Sequence, residues 1–476
     1  MHTDQLSRRQ WLQGLGAGLA FATTMTPSLS SRVGAQALPH AAGTPNPARL
    51  VVVFLRGAYD GLSAFVPYAD ADYYRLRPGI AIAAPDGSAQ SAIRLDGSFA
   101  LHPALAPLLP LWQQGVFGFV PAAGLPAPNR SHFDAQYQME IAQVGKTSAS
   151  SGWLNRLAGL HSTPTAMASP HSTPTAMERV NDTPTAMERV NDTPTAMGVG
   201  EANPAILAGE ASVKLIARGQ SAERTGVLAN TSTRQALLDL YAGNDSLGTA
   251  FRKGAESRAQ SALELNFEKA AAQARQTMGR PLDKDGTPAS PQAQTAQMLA
   301  ASNGAADPVG LQLDAQHLGT LMRNDRKLSV GFLSAGGWDT HANQGNASGQ
   351  LANNLGNLAR GITQLRQDFS ESGDVIVVLS EFGRTSAENG TKGTDHGFGN
   401  AMWLIGNRIN GGRWHGQWTG LARGNLNEGR DLPAHHDYRA VLAQVLRSNF
   451  ALADSHLATL LPGAQWDTRL DSLVKP

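Results

Sequence analysis

The chain has 476 residues, a formal net charge of +1 and no cysteine. The near-zero charge and the absence of a basic block argue against a nucleic-acid-binding surface. Because cysteine is absent, disulfide bonds, thiol catalysis and cysteine-ligated zinc are excluded, and stability must come from core burial or from bound metal.

The first 37 residues have the pattern of a twin-arginine signal peptide. Arg8 and Arg9 are followed by a weakly apolar run rich in glycine and alanine, and Ala-Gln-Ala at 35–37 fits a small-x-small cleavage site. The run is too short and too weakly apolar to stay as a membrane span, and no later stretch is long enough. We therefore expect a periplasmic or secreted protein that is exported by the twin-arginine translocase.

A first buried strand is predicted over residues 48–55, which read Ala-Arg-Leu-Val-Val-Val-Phe-Leu. Gly57 and Gly61 allow a tight turn after this strand, and the turn carries Asp60 and Ser63. Asp60 is a candidate metal ligand, although an aspartate here also suits a turn. Ser63 is either a nucleophile or anion contact, or the N-cap of a short helix.

A second buried strand is predicted over residues 116–120, and His132 follows it after a loop rich in proline and glycine. His132 stands between Arg130 and Asp134, which favours a role in proton transfer or in contact with phosphate or sulfate. His102, in the sequence Leu-His-Pro-Ala-Leu, is predicted to be a structural hydrogen-bonding residue.

A ten-residue repeat occupies residues 161–200, where Thr-Pro-Thr-Ala-Met starts at positions 163, 173, 183 and 193. Every unit contains proline and few core-forming residues, so we expect an exposed, low-complexity loop. Residues 201–322 are predicted to be a mainly helical insert or cap packed against the sheet. Its predicted elements are helices at 233–241, 250–278, 293–301 and 311–322, and short strands at 205–207 and 212–216.

The sharpest local pattern follows a strand predicted over residues 328–333, where positions 336–341 read Gly-Gly-Trp-Asp-Thr-His. The two glycines free the backbone, and Asp339 and His341 can then point into the same crevice. The pattern favours metal ligation over a chance surface turn.

The apolar run at 375–379 is short and β-branched, as expected for a strand buried on both faces of a parallel sheet. Glu381 follows directly, and Asp395 and His396 follow after a polar, glycine-rich loop. These three side chains are candidate metal ligands. The alternative for Glu381 is a surface salt bridge with Arg384.

Near the C-terminus, His435 and His436 either complete the site or flank Asp437, a candidate cap for a helix at 440–449. The buried strands indicate an α/β fold with a mostly parallel sheet flanked by helices, formed by residues 48–160 and 323–476. Ligands bind at the carboxyl ends of the strands in such sheets, where side chains from different strands can converge.

The candidate metal ligands are Asp60, Asp339, His341, Glu381, Asp395 and His396. Mixed carboxylate and imidazole ligation suits zinc, manganese or iron, and also magnesium or calcium where carboxylates dominate. Two divalent ions about 3.5–4 Å apart would form a clamp for in-line displacement at phosphorus or sulfur.

Several motifs together closely resemble family 1501 of the domains of unknown function. The resemblance extends over most of the chain after the signal peptide and is interrupted by the repeat at 161–200. The motifs are Arg-Gly-Ala-Tyr-Asp-Gly-Leu-Ser at 56–63, Leu-His-Pro-Ala-Leu at 101–105, Ser-His-Phe at 131–133, Gly-Gly-Trp-Asp-Thr-His at 336–341, Ser-Glu-Phe-Gly-Arg-Thr at 380–385 and Asp-His-Gly at 395–397.

That family is similar to the alkaline phosphatase and sulfatase superfamily, which implies an alkaline phosphatase-like fold with two metals around a nucleophile. The resemblance assigns five residues to the metals: Asp60, Asp339, His341, Asp395 and His396. Ser-Glu-Phe-Gly at 380–383 occupies the strand end where the superfamily has Asp-His-Gly, so either Glu381 or the later Asp-His pair is the counterpart. The sulfatase signature Cys/Ser-x-Pro-x-Arg is missing, which favours phosphate esters.

We therefore expect an exported hydrolase of phosphate or sulfate esters that uses two divalent ions and acts on a small molecule or a polymer. The candidate catalytic residues are Ser63, His132 and Arg384. The alternative is a non-catalytic export or cell-surface assembly protein that retains the same fold.

Overall fold

The core of the protein is a mostly parallel β-sheet, and the carboxyl ends of its parallel strands lie along one edge. The computed structural model describes residues 48–145, 149–162, 194–200, 204–224, 230–243, 246–276, 298 and 300–476. In chain order, the strands are β1 (Leu50–Leu55), β2 (Phe65–Val66), β3 (Ile93–Arg94), β4 (Ala100–Leu101), β5 (Phe117–Gly124), β6 (Ala196–Val199), β7 (Val213–Ile216), β8 (Val330–Ala335), β9 (Val375–Leu379), β10 (Asn400–Gly406) and β11 (His436–Asp437).

Eight of these strands form one sheet, in the order β11-β5-β10-β9-β1-β8-β6-β7, and β2, β4 and β3 form a smaller one. In the large sheet, β10 is antiparallel to β9 and to β5, and the other described pairs are parallel. The predicted α/β fold with a mostly parallel sheet is therefore confirmed. Because parallel strands share a direction, the loops after β1, β8, β9, β6 and β7 leave from one edge.

The helices connect and cover these strands. In chain order they are α1 (Gly61–Ala64), α2 (Ala71–Leu76), α3 (Leu109–Gln113), α4 (His132–Ile141), α5 (Trp153–Ser162), α6 (Thr231–Leu240), α7 (Ser246–Gln276), α8 (Leu311–Asn324), α9 (Gln350–Asp368), α10 (Tyr438–Phe450) and α11 (Asp454–Leu460). A 3₁₀ helix at Pro103–Leu108 leads into α3. Asp437 caps α10, as predicted, by accepting a hydrogen bond from the backbone N–H of Arg439.

The large sheet is buried on both faces, which explains why its central strands read as continuous apolar runs. All six residues of β1 are fully buried. Val51 and Val53 belong to a core with α8 and α9, whereas Leu50 and Val52 belong to a second core with α4, α5 and α10. The alternation of side chains along a strand thus supplies one apolar layer to each face.

The segment predicted to be a helical insert also contributes to the large sheet. Strand β7 matches the strand predicted at 212–216, and it is hydrogen-bonded to β6. The strand predicted at 205–207 is wrong, because Ala205–Leu207 forms a 3₁₀ helix. Pro204 precedes this short segment and has no backbone N–H to donate to a strand ladder.

Strand β6 corrects the interpretation of the repeat as an exposed loop up to residue 200. Ala196 and Met197, from the last Thr-Pro-Thr-Ala-Met unit, are fully buried and pair with β7 and β8. In this unit alone the motif is followed by Gly198 and Val199. Four small or apolar residues therefore lie between β7 and β8. The other units continue with Ala-Ser-Pro or Glu-Arg-Val.

Three predictions fall on residues that the structure does not describe. The signal peptide and the repeat units before residue 194 lie outside the described residues, as does most of the helix predicted at 293–301. Within the described ranges, the helices are all too short or too polar to cross a membrane.

Candidate metal centre

Three chain segments deliver the side chains of the centre to the carboxyl edge of the large sheet. His132 is the first residue of α4, whose N-terminus is capped by the hydroxyl of Ser131. Asp339 follows β8 by way of Gly337, whose φ of +82° is a conformation that favours glycine. His396 lies in the loop between β9 and the antiparallel β10, so this loop returns it to the same edge.

These three residues each place one side-chain atom close to the corresponding atoms of the other two. His132 Nε2, Asp339 Oδ1 and His396 Nε2 all lie within 4.8 Å of one another and could hold a metal ion. The two Nε2 atoms are 2.9 Å apart, and Asp339 Oδ1 lies 3.4 Å from His132 Nε2 and 3.3 Å from His396 Nε2. These three residues are hereafter the metal-binding group.

His341 places a further donor beside two members of this group. Its Nε2 lies 2.9 Å from Asp339 Oδ1 and 3.0 Å from His396 Nε2. Bonds of about 2.0–2.1 Å to an ion place neighbouring donors about 2.9 Å apart in an octahedron and about 3.4 Å apart in a tetrahedron. The donor spacing therefore matches that of a metal centre.

The second nitrogen of each imidazole fixes which nitrogen carries the proton. His132 Nδ1 lies 2.7 Å from Glu381 Oε1, His396 Nδ1 lies 2.9 Å from the carbonyl oxygen of Arg130, and His341 Nδ1 lies 3.2 Å from Asp395 Oδ1. Oxygen acceptors at all three sites assign an N–H to each Nδ1 of the neutral rings. Each Nε2 then presents a lone pair, which is the arrangement that metal-binding histidines use.

The charge on Asp339 is strongly favoured in this environment. Burial alone would raise the pKa of Asp339, but hydrogen bonds with the three histidines and the charge of Arg384 hold it below its ordinary value. Arg384 Nη2 donates to Asp339 Oδ1 at 2.6 Å. The aspartate is therefore ionised and available as an anionic ligand.

His132 is the group whose protonation competes with a metal. Burial alone would lower the pKa of His132, but hydrogen bonds and charges from Asp339 and Glu381 raise it to about 9. A proton on Nε2 occupies the lone pair that a metal would use, so ion and proton exclude each other there. The negative charge of the centre therefore attracts either a proton or a metal ion to His132 Nε2.

Glu381 supports His132 and lies behind it. It is fully buried, and its Oε1 accepts hydrogen bonds from the backbone N–H of Gly57 at 2.8 Å and from Gln136 Nε2 at 2.9 Å, beside the contact with His132 Nδ1. Burial would raise the pKa of Glu381, but the hydrogen bond and charge of His132 lower it. The sequence prediction that Glu381 is a ligand is therefore corrected: it orients a ligand.

Asp395 occupies the corresponding place behind His341. Its carboxylate is 56% exposed, accepts a hydrogen bond from Asn389 Nδ2 at 3.0 Å, and faces His341 Nδ1. Of the Asp-His pair at 395–396, His396 thus joins the metal-binding group and Asp395 supports a neighbouring imidazole.

Asp60 and Ser63, the predicted first-strand ligand and nucleophile, form a separate buried network. Asp60 Oδ2 accepts hydrogen bonds from Arg77 at 2.6 Å, from Ser63 at 2.7 Å and from Gln344 at 2.8 Å. Burial alone would raise the pKa of Asp60, but the Arg77 charge and these hydrogen bonds lower it. The structure thus places Asp60 in an ion pair and commits the Ser63 hydroxyl to that carboxylate.

Arg384, a predicted catalytic residue, instead fixes the loops around the centre. It is buried and donates to the carbonyl oxygens of Gly57, Ala58 and Trp338, as well as to Asp339. With its donors engaged in this way, Arg384 positions Asp339 and does not face a substrate.

His102, His435 and His436 have partners outside the centre. His102 is buried, accepts a hydrogen bond from the backbone N–H of Ala104 and contacts the carbonyl oxygen of Asn346, which agrees with its prediction as a structural residue. His436 contacts Asp467 and accepts from the backbone N–H of Gln417, and His435 contacts Thr419. These two histidines therefore do not complete the centre.

Two residues that hold these networks together, Arg77 and Gln136, are not marked by any pattern in the sequence. Arg77 follows a short helix and precedes a proline, yet it neutralises Asp60 across a separation of 17 residues. Gln136, one turn into α4 from His132, links Glu381 to Arg56. Neither belongs to a recognisable motif, and only the packing of distant segments assigns them a role.

The comparisons with known proteins agree with the motif resemblance. The model of a family described as a protein of unknown function, DUF1501, matches residues 47–461. A search of curated proteins finds no match. Since the matched region covers most of the sequence, the chain belongs to the DUF1501 family.

Proposed function

We propose that the protein is an exported, metal-dependent hydrolase of phosphate or sulfate esters. The observation that carries the proposal is the convergence of two imidazole Nε2 atoms and one carboxylate oxygen at the carboxyl edge of the sheet, with a third imidazole beside them. Ligands bind at this edge in open α/β sheets. The phosphate or sulfate ester as substrate class rests on the resemblance of the motifs to the alkaline phosphatase and sulfatase superfamily.

The donor set favours a centre with one ion of the zinc type. Imidazole-rich ligation suits zinc, iron or manganese, whereas magnesium and calcium prefer oxygen ligands. Within the described residues, the metal-binding group is the one cluster of at least three such side chains that could hold an ion. Asp60, which the two-ion arrangement requires, is neutralised by Arg77.

The residues around the ion have separable roles. A bound divalent ion would act as a Lewis acid and lower the pKa of a coordinated water. Glu381 holds the His132 ring in place, and Arg384 does the same for Asp339. Because Ser63 is engaged by Asp60, the attacking oxygen comes from solvent, which reaches the centre past His341 and His396.

Arg430 is better placed than Arg384 to contact an anionic ester. Its side chain is 43% exposed, and its Nη2 donates to the carbonyl oxygen of His396 at 2.6 Å. The guanidinium can therefore meet the oxygens of a phosphate or sulfate beside the metal-binding group.

A non-catalytic role has one observation in its favour. If His341 binds the ion together with the three residues of the metal-binding group, four protein donors close a tetrahedral site, as in structural zinc centres. His341→Ala separates the two functions. A hydrolytic centre keeps its ion and changes its rate, whereas a structural centre loses ion and stability together.

Elemental analysis of the purified protein, followed by assays on phosphate and sulfate esters, tests the proposed function. We expect about one ion per chain and hydrolysis that His396→Ala abolishes together with the ion. The matched control is His456→Ala, because His456 is an exposed histidine on α11. A metal-free wild type, or full hydrolysis in His396→Ala, would refute the proposal.

Export is tested separately. Replacing Arg8 and Arg9 with lysine should retain the protein in the cytoplasm, because the twin-arginine pair is the recognised feature of the signal. Fractionation of cells that express the wild type and the lysine variant measures this. Periplasmic accumulation of the variant would contradict twin-arginine export.

A further inference from the structure

A cavity lies beside the metal centre at the same edge of the sheet. Its volume is about 180 Å³, and its walls include residues at or just after the carboxyl ends of four neighbouring strands. These are Arg56 after β1, Ser334 in β8, Gly200 after β6 and Arg218 after β7. Asp339 and His341 follow β8 as well, so the cavity and the metal centre are neighbours.

Helix α4 joins the two sites directly. His132 of the metal-binding group is its first residue, and Phe133, Tyr137 and Glu140 of the same helix line the cavity. With a rise of about 1.5 Å per residue, these positions lie within roughly 12 Å of His132 along the helix axis. The nearest lining residue, Phe133, directly follows His132 in the helix.

A continuous chain of buried hydrogen bonds also connects the sites. Arg56 forms an ion pair with Glu140 on the cavity side and donates to Gln136 Oε1 at 2.8 Å. Gln136 Nε2 donates to Glu381, which in turn holds His132. The cavity wall and the imidazole therefore have fixed relative positions.

The lining has an apolar wall and a polar wall, and Arg56, Glu140 and Arg218 belong to the polar one. Of the nine large apolar side chains that the described residues expose, three line this one cavity: Phe133, Tyr137 and Leu215, which are 57%, 37% and 37% exposed. Buried Val199 and Phe332 contribute further apolar surface. Clustering of exposed apolar residues marks a binding site.

We propose that this cavity binds the apolar, ring-sized alcohol part of the ester whose phosphate or sulfate group reaches the metal centre. The proposal rests on the proposed function and adds a substrate class to it, namely esters of aromatic or similarly apolar alcohols. A cavity of about 150 Å³ accommodates one benzene ring, so the volume here leaves room for one ring against the wall formed by Phe133, Tyr137 and Leu215. Arg218 donates to Ser334 at its rim and keeps the wall in place.

Binding of phenol tests the cavity without any need for catalysis. We expect phenol to bind the metal-loaded wild type, and Tyr137→Ala and Leu215→Ala each to weaken its Kd about tenfold, as loss of apolar contact predicts. The two variants come from different elements, α4 and β7, so a shared effect cannot arise from disturbance of one element. Leu247→Ala is the control, since Leu247 is 62% exposed on α7 and does not line the cavity.

Hydrolysis of phenyl and methyl esters completes the test. In Tyr137→Ala and Leu215→Ala, kcat/KM should fall about tenfold for the phenyl ester and stay within about twofold for the methyl ester. Equal losses for both esters, or phenol binding that these variants leave unchanged, would overturn the cavity proposal while the proposed function stands. Phenol binding that depends on both residues, without turnover of any ester, would instead overturn the proposed function and retain the binding site.

Discussion

Asp60 and Asp339 have similar sequence contexts and different surroundings. Each follows a buried parallel strand after a turn that contains glycine, and each is buried. Asp60 meets a guanidinium, a hydroxyl and an amide, all of which donate to it. Asp339 meets one guanidinium and, in addition, three imidazole Nε2 atoms.

The charges of the two environments explain the difference. Around Asp60, the negative charge of the carboxylate and the positive charge of Arg77 cancel. Around Asp339, Arg384 pairs with one buried carboxylate, while a second buried carboxylate, that of Glu381, contacts His132 Nδ1. The second environment lacks one positive charge, which a proton on His132 or a metal ion can supply. Since Arg384 pairs with Asp339 as Arg77 pairs with Asp60, the imidazoles around Asp339, and not the absence of an arginine, distinguish the candidate ligand.

The largest expected effect is that of Arg77→Met. It leaves the carboxylate of Asp60 buried without its partner, and breaking a buried pair in this way costs about 3–5 kcal/mol of unfolding free energy. Urea unfolding measures that loss. Metal content per chain should stay unchanged, because Asp60 is not in the metal-binding group.

The double variant Asp60→Asn/Arg77→Met is the control for this prediction, since it removes both charges and should recover part of the loss. Loss of the metal ion from a folded Arg77→Met protein would contradict the distinction between Asp60 and Asp339. It would show that the surroundings of Asp60 help to hold the ion.

Asp339→Asn should remove the ion and the stability that comes with it. An ion present at 100 to 1,000 times its Kd contributes about 3–4 kcal/mol, so chelator should lower the Tm of the wild type and leave that of the variant unchanged. Elemental analysis after gel filtration measures the metal content per chain. The control is Asp395→Asn, which changes an exposed carboxylate that lies behind a ligand. Full metal content in Asp339→Asn would remove Asp339 from the centre.

The stabilising effect of metal should grow with pH. In the ion-free protein the pKa of His132 is about 9, above its ordinary value of 6.5, so its protonated form stabilises the fold fully below about pH 6.5 and this contribution is lost as pH rises through about 9. A metal replaces that proton, so the difference in Tm between metal-loaded and chelated protein should widen from pH 6.5 to 9. A difference that narrows over this window would contradict the competition of ion and proton at His132.

The smallest expected effect, from a change remote from both aspartates, comes from deleting residues 168–197. The deletion joins Thr-Pro-Thr-Ala-Met at 163–167 to Gly198, so an identical sequence precedes the end of β6. Thr195 Oγ1 donates to the carbonyl oxygen of Ala158 at 2.9 Å, which shows that the start of β6 lies close to α5. A short connection can therefore close the gap, and the Tm should change by only a few degrees.

A variant that lacks only residues 193–197 should be compared with this deletion. It removes only five residues but places Asn191 and Asp192 before Gly198, at positions that are fully buried in β6. We expect the shorter deletion to destabilise the protein far more, because it buries polar groups without partners. Equal Tm values for the two deletions would show that the sequence of β6 is unimportant.

The sequence predicted the central strands well and the outer elements less well. The run at 375–379 coincides with β9, because a continuous β-branched segment has few alternatives to a buried strand. The sequence predicts an exposed loop for the last repeat unit, since four residues from Ala196 are too few to give a strand signal. Their burial depends on β7 and β8, which lie beside them only in the folded chain.

The sequence by itself determined the α/β class, and it predicted the edge of the candidate metal centre and most of the residues there, including Asp339, His341 and His396. These follow from local physics: apolar runs make strands, and glycine turns free the side chains that come after them. Only the tertiary structure decided the role of each residue. Whether a carboxylate binds a metal, orients an imidazole or pairs with arginine depends on the charges that distant segments bring within about 3 Å, and electrostatic energies at such distances in a buried site exceed any local preference.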